Sequence, residues 1–331
     1  MKIYKAIMVI GMGTVLASCG SDSEGDEQTS ESSRLIRISA AVNSTKGNYT
    51  TENLNGFGIT IINSESEDNT YTNVEVSGSN DDGWSTATTM YWRTNTDEVV
   101  IVAYAPYSED ASITNETTSY EISVTGEQTE DDKSIDFLVW KDESYVPKTD
   151  LVNGAVQIPF AHALSRIDLD ITLMYEYNYY TLEDLGGEGT TIASAENPFS
   201  SVYISGTILS GTCDFSPETI TATADENEET ANVYPYEIAG SFESTLDEDG
   251  NVQTDQLATA HYQCILMPQT SDEFAVYMTI GTKTFVWNSG GLTLEGGKIY
   301  TISLYIGDGV DEEVSVKAWE TGEETTLSAE I

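Results

Sequence analysis

Beyond residue 34 the chain alternates. Apolar residues recur at every second position in short runs, and the runs are broken by Gly, Asn, Asp and Ser. A period of two is the signature of strands with one face turned to a core. Residues 35–42 place Ile36, Ile38, Ala40 and Val42 on one face. Further strands are predicted over 58–63, 72–77, 99–104, 119–124 and 135–140. A second group is predicted over 155–171, 201–208, 233–242, 262–267, 274–280, 284–287, 299–306 and 314–319. The run Asn80-Asp81-Asp82-Gly83 has the composition of a hairpin turn. No amphipathic helix longer than about two turns is visible. No strong short-period repeat is visible either, which argues against a propeller or a solenoid. A chain of about 300 residues is large for one core and natural for two. The polar stretch 141–154, which contains Pro147, places the boundary between them, giving domains over 34–152 and 153–331. The expected fold class is all-β, two β-sandwich domains in tandem.

The first residues follow another pattern. Lys2 and Lys5 precede the apolar run 6–16, which is of secretory-signal length and too short for a transmembrane helix. The run ends in Leu16-Ala17-Ser18-Cys19, the form of a lipoprotein cleavage site. Residues 1–18 are therefore expected to be removed and Cys19 to carry the lipid that tethers the protein to a membrane. Residues 19–33 hold Ser, Asp, Glu, Gly, Gln and Thr but no apolar side chain after the Cys, so an acidic disordered tether is expected there.

Charge narrows the partners. The sequence has 56 acidic and 13 basic residues, a formal charge of −43, and such a surface repels nucleic acid. Yet 39% of the residues are hydrophobic and 10% aromatic, so real cores must lie beneath the acidic faces. Besides Cys19 there are Cys213 and Cys264. Export would permit a disulfide between them, but two free, buried thiols are the favoured reading.

Catalytic and metal-binding signatures are missing. There is no G-x-S-x-G, H-E-x-x-H or C-x-x-C. His162 stands among apolar neighbours and reads as a structural histidine inside the second domain. His261 and Cys264 fall on opposite strand faces, which argues against a shared metal. Residues 246–251 have partial calcium-loop character without the terminal Glu, and read as a hairpin turn. With 56 carboxylates, chance pairs are inevitable and point to no hydrolase. The Tyr-rich run 175–180 fits a recognition surface or ordinary strand packing. No enzyme activity, cofactor or metal is expected.

Several segments, in order, resemble the fimbrillin family of type V pilus subunits. They are the lipobox at Cys19, the strand Ile36-x-Ile38-x-Ala40, and the run Val99 to Tyr104 followed by Ala105-Pro106-Tyr107. After these come Asp136-Phe137-Leu138 and Phe160-Ala161-His162-Ala163-Leu164-Ser165-Arg166. Leu266-Met267-Pro268, Gly296-Gly297-Lys298-Ile299-Tyr300 and Trp319 complete the series. One departure is Trp92, where the family often has Pro. The resemblance implies transthyretin-like sandwiches and an outer-membrane lipoprotein precursor, surface-exposed and acylated (palmitate) at Cys19. It implies release of the first strand by a trypsin-like protease, followed by β-strand addition from another subunit. Candidate cut sites are Arg34, Arg37 and Lys46, with Arg37 expected inside the strand. The leading strand carries Ile36, Ile38, Ala40 and Val42. At the far end Leu327, Ala329 and Ile331 repeat the same period, and this last strand either donates to a neighbour or closes its own domain.

Partners are then other pilus subunits in a homo- or hetero-polymer, and a host or bacterial surface receptor for an adhesive subunit. The expected function is a structural or adhesive subunit of a cell-surface fimbria. The alternative is a non-polymerising surface lipoprotein that binds glycans or acts as a pilus anchor.

Overall fold

A computed structural model describes residues 34–43, 49–111, 113–114, 118–173, 197–216, 220–242, 257–307, 310–318 and 324–327. Cys19, Lys46, Ala329, Ile331, the Tyr-rich run 175–180 and the acidic loop 246–251 lie outside these residues.

The described chain is built of strands with a few short helical turns. The first half centres on a seven-stranded sheet. It contains β1 (Ile38–Val42), β2 (Gly56–Ile62), β3 (Tyr71–Ser79), β4 (Gly83–Thr86), β5 (Val99–Ala105), β7 (Leu138–Tyr145) and β8 (Val156–His162), in the order β1-β8-β7-β5-β2-β3-β4. Only the β1–β8 pair in this sheet is parallel. The expected hairpin at 80–83 joins β3 to β4, with Gly83 at φ 87. One face of the sheet encloses a core that runs from Ile36 and Ile38 through Phe57, Ile59 and Ile101 to Ile158 and Phe160.

The second half is a sandwich. A six-stranded sheet runs β14 (Tyr236–Ser241), β15 (Ala258–Leu266), β9 (Ser165–Leu173), β20 (Lys298–Ile306), β21 (Val310–Ala318) and β22 (Glu324–Leu327). Opposite it lies a four-stranded sheet of β13 (Ala231–Val233), β10 (Phe199–Thr207), β17 (Ala275–Ile280) and β18 (Lys283–Asn288). Odd positions of β9 (Ile167, Leu169, Ile171, Leu173) meet even positions of β17 (Val276, Met278, Ile280) in the core between them.

A three-stranded sheet joins the halves. β6 (Ser119–Ser123) comes from the first, β11 (Ser210–Asp214) and β12 (Thr221–Ala224) from the second, and β11 pairs with both. Beneath it is a third core. Val102, Tyr104 and Val139 enter it from the outer face of the first sheet, and Ile265 and Ile299 from the outer face of the six-stranded sheet. Lys141 adds a polar clamp, donating from Nζ to the carbonyls of Phe215 (2.8 Å) and Ser216 (3.2 Å). Buried Gln128 donates to Ile265 O and accepts from Ile265 N–H, both at 2.8 Å.

Two expectations change in detail. The segment 155–171 is two strands, and β8 belongs to the first sheet although it follows residue 153. The chain passes from one sheet to the other at Ala163–Leu164. For the same reason His162 lies in the seven-stranded sheet and not in the second sandwich. The two cysteines are free and sit in different cores, Cys213 at the junction and Cys264 inside the second sandwich. Burial, then the nearby Asp214, pushes the Cys213 thiol up to about 12. Burial also raises that of Cys264. Native protein should therefore resist iodoacetamide at neutral pH at both positions and react at both in denaturant, as read by mass spectrometry.

A tight contact fixes the centre of the first sheet. Gly58 on β2 lies opposite Tyr104 on β5. A Cβ on Gly58 would fall 2.5 Å from the Tyr104 ring. The ring cannot easily yield, because its hydroxyl donates to Asn73 Oδ1 at 2.6 Å. Gly58→Ala should lower stability by about 1–3 kcal/mol in urea unfolding.

Candidate functional site at the leading edge strand

β1 ends the seven-stranded sheet and pairs only with β8, in the register Ile38↔Val156 to Val42↔Phe160. The parallel ladder runs one residue beyond each end of the strand. Val156 N–H donates to Arg37 O (2.8 Å) and Asn43 N–H donates to Phe160 O (3.0 Å). By alternation, β8 turns the N–H groups of its even residues toward β1. Pro159, which has no N–H, therefore removes nothing from this ladder. Its missing donor falls on the other side, where β7 pairs with β8 only at Leu138↔His162 and Val139↔Ala161.

The side chains hold β1 more firmly than its backbone does. Ile36, Ile38, Ala40 and Val42 are 5%, 9%, 2% and 6% exposed. They share a core with Leu54, Trp92, Tyr145, Ile158 and Phe160. Burying each large apolar side chain contributes about 1.5–3 kcal/mol. The far edge is pinned only at its ends. Ile36 N–H donates to Met90 O (2.9 Å) and Trp92 N–H to Arg34 O (2.8 Å). At the other end Thr51 Oγ1 accepts from Val42 N–H and donates to Val42 O. Trp92 also stacks on Tyr145, with ring centroids 6.0 Å apart.

The basic residues divide around this strand. Arg34 is half-buried, and its Nε donates to Trp92 O at 2.7 Å. Arg37, expected inside the strand, instead precedes it with an exposed side chain. Lys46 is outside the described residues, but the chain is anchored on either side of it. Asn43 bonds to β8, and buried Tyr49 donates its N–H to Asp136 Oδ2 at 3.3 Å. Asp136 is itself fully buried and accepts from His162 Nδ1 at 3.0 Å. Burial, then the Asp136 charge, pushes the Tyr49 hydroxyl up to about 12. His162 is thus structural, as expected, and its partner is the aspartate that holds Tyr49.

The last strand lies elsewhere. β22 forms the edge of the six-stranded sheet, with Leu327 opposite Val314. Leu327 and the leading strand are therefore not neighbours within one chain. His261 projects from the outer face of β15 to Asp170 (2.7 Å), while Cys264 faces the core. Among the described residues no group of His, Cys, Asp and Glu is arranged to hold a metal. Sequence reasoning missed the roles of Met90, Trp92, Thr51 and Tyr49. Their contacts with β1 and Asp136 bridge gaps that no local periodicity reports.

A family profile described as fimbrillin-like matches residues 41–319. No curated protein matches. Among solved structures, a candidate cell adhesion protein of Bacteroides uniformis is 19% identical. It aligns over 86% of this chain and 99% of its own, with a TM-score of 0.55. A candidate cell adhesion protein of Bacteroides ovatus is 15% identical over 88% of this chain and 99% of its own, with a TM-score of 0.57. At these identities the likeness is one of fold.

Truncating the leading strand tests its hold on the core. Ile38→Ala should lower stability by about 2–4 kcal/mol in urea unfolding. Arg37→Ala, one residue away and exposed, should change it by less than about 0.5 kcal/mol.

Proposed function

The chain belongs to the fimbrillin-like family, and on that premise we propose that it is a pilus subunit joined to its neighbours by exchange of the leading strand. Membership makes it a structural protein of the cell surface and not an enzyme. The finer reading is that it is exported as a lipoprotein precursor, acylated at Cys19 and held at the outer membrane. A protease then frees β1, and a strand of another subunit enters the vacated groove. Residues 324–331, with Leu327, Ala329 and Ile331, are the candidate donor.

The observation that carries this reading is the asymmetry of β1. It pairs with one strand only, yet it fills a core with Ile36, Ile38, Ala40 and Val42. Its loss breaks no other ladder and leaves a slot one strand wide, lined with apolar residues. Exposed apolar surface and an unpaired β8 edge both favour refilling by an alternating strand. Tyr49, held to Asp136, keeps the chain beyond the slot in place. The adhesion role in the descriptions of the two structural neighbours supports placement in a surface appendage.

The cut site follows from order along the chain. Arg34 and Arg37 both precede β1, so cleavage after either leaves the strand in its groove. Lys46 is the one basic residue between β1 and β2. A protease confined to Arg would therefore leave the groove closed, and this favours the alternative of a non-polymerising anchor wherever only such a protease is present.

Limited trypsin treatment of the purified protein, with N-terminal sequencing, decides between them. We expect a new start at Gly47 and the appearance of higher oligomers in size-exclusion chromatography. Lys46→Gln should abolish oligomers, whereas Arg34→Gln combined with Arg37→Gln should leave them unchanged. Cleavage after Lys46 with a persistent monomer would overturn strand exchange.

A further inference from the structure

The outer face of the four-stranded sheet carries a feature that strand exchange does not use. Tyr203 on β10 and Tyr277 on β17 are register partners, and their rings stack at 4.7 Å with an interplanar angle of 4°. Tyr234, directly after β13, tilts against the other side of Tyr203 at 5.5 Å. The row is half-buried and runs across the strands. Because the rings face one another, their edges and hydroxyls are left to point away from the stack.

Tyr277, at the end of this row, lines a cavity of about 480 Å³, within the size range of ligand pockets. Its floor is made of small residues. Ser205 and Ala275 lie opposite one another in the β10–β17 ladder, and Asn288 pairs with Ala275 from β18. Asn232, Thr230 and Asp272 stand around the rim. One end is closed by a tight backbone approach at Gly206, which sits at φ +75. A Cβ there would come 2.4 Å from Glu273 O. Any side chain at this position would push the end of the pocket open.

The polar groups of this cavity are uncommitted. Among the described residues the side-chain amides of Asn232 and Asn288 and the hydroxyl of Ser205 make no hydrogen bond within the protein. Amides offer both donors and acceptors, and Asp272 adds an acceptor. A shallow polar dish with mixed donors and acceptors, a floor in which Ala275 lies between Ser205 and Asn288, and the Tyr277 ring at its side matches the alternating hydroxyl and C–H surface of a sugar. Ring edges, which carry the positive end of the aromatic quadrupole, suit hydroxyl oxygens. The charge of −43 and the two local carboxylates, Asp272 and Glu273, disfavour sialylated or sulfated ligands.

We propose that the dish between Tyr277, Asn232, Asn288 and Asp272 binds a neutral saccharide. The site lies on a sheet that β1 does not belong to, so it stands or falls apart from strand exchange. Ligand specificity comes from the amides and Asp272. The tyrosine stack holds the wall rigid.

The full chain, applied to an array of neutral glucose-, galactose-, mannose- and N-acetylglucosamine-containing glycans with their sialylated and sulfated counterparts, tests this. Saturable binding confined to neutral glycans is expected. Asn232→Ala combined with Asn288→Ala should weaken it at least about tenfold, one lost hydrogen-bonding set being worth that much. The variant should keep the native thermal midpoint, because these amides bond to nothing else in the fold. Tyr277→Phe, which preserves the stack, should weaken binding less than the double variant. Absence of binding to every glycan, binding indifferent to the double variant, or capture of an oligolysine peptide at these residues in place of a sugar would each overturn the proposal.

Discussion

Strand β5 is buried on both faces, and the arrangement of the molecule depends on that. Val99, Ile101, Ala103 and Ala105 enter the core of the first sheet, while Val102 and Tyr104 enter the junction core. A strand covered on both sides has no polar alternate positions, and the run Val-Val-Ile-Val-Ala-Tyr-Ala is what such a strand requires. Tyr104 shows how closely the two layers fit. Its ring lies over Gly58 in one direction and packs near Phe137 and Phe215 in the other. Its hydroxyl meets Asn73 and Ser108 O, so the phenol is itself satisfied between the cores. Everything on the outer side, including β6, β11 and the Lys141 clamp, is organised around this strand.

At the edge of the same sheet, β1 is placed by the opposite logic. It has one ladder, short contacts at its two ends and one buried face. Such a strand can be essential to stability and still be separable from the rest. Pro159 illustrates the division, since its missing donor points to the gap beside β7 and leaves the β1 ladder complete. Asp136 and His162 make a dry, polar fixing point at the end of β8, away from the apolar slot. The slot and the anchor for the following chain are therefore distinct groups of residues.

Much of this was legible in the sequence, and the exceptions have physical causes. Alternation located β1, β2, β3, β5, β10, β17 and β20, because each has a clearly apolar face. It missed β4, β11 and β12, whose sequences Gly-Trp-Ser-Thr, Ser-Gly-Thr-Cys-Asp and Thr-Ala-Thr-Ala are short and low in contrast. Their place is set by partners far along the chain, as in the pairing of Cys213 with Tyr120. The step between sheets at Ala163–Leu164 left one trace in the sequence, a change of phase from even apolar positions in β8 (Val156, Ile158, Phe160) to odd ones in β9 (Ile167, Leu169, Ile171), and reading 155–171 as one strand passed over it. At the candidate site the four leading-strand residues were evident from their period. The position of Arg37 just before the strand was not, since the apolar pattern extends through Ile36 without a break while the strand starts at Ile38 and only the Arg37 carbonyl joins its ladder. The dish beside Tyr277 gave no signal at all. Its residues come from four strands and the turns before β13 and β17, and are individually ordinary.

The mixed parentage of the small sheet has a mechanical meaning. Because β6 from one half completes a ladder with β11 from the other, the halves cannot separate without breaking that ladder. In a row of such molecules linked to one another, the links between copies would yield before the two halves of any one copy.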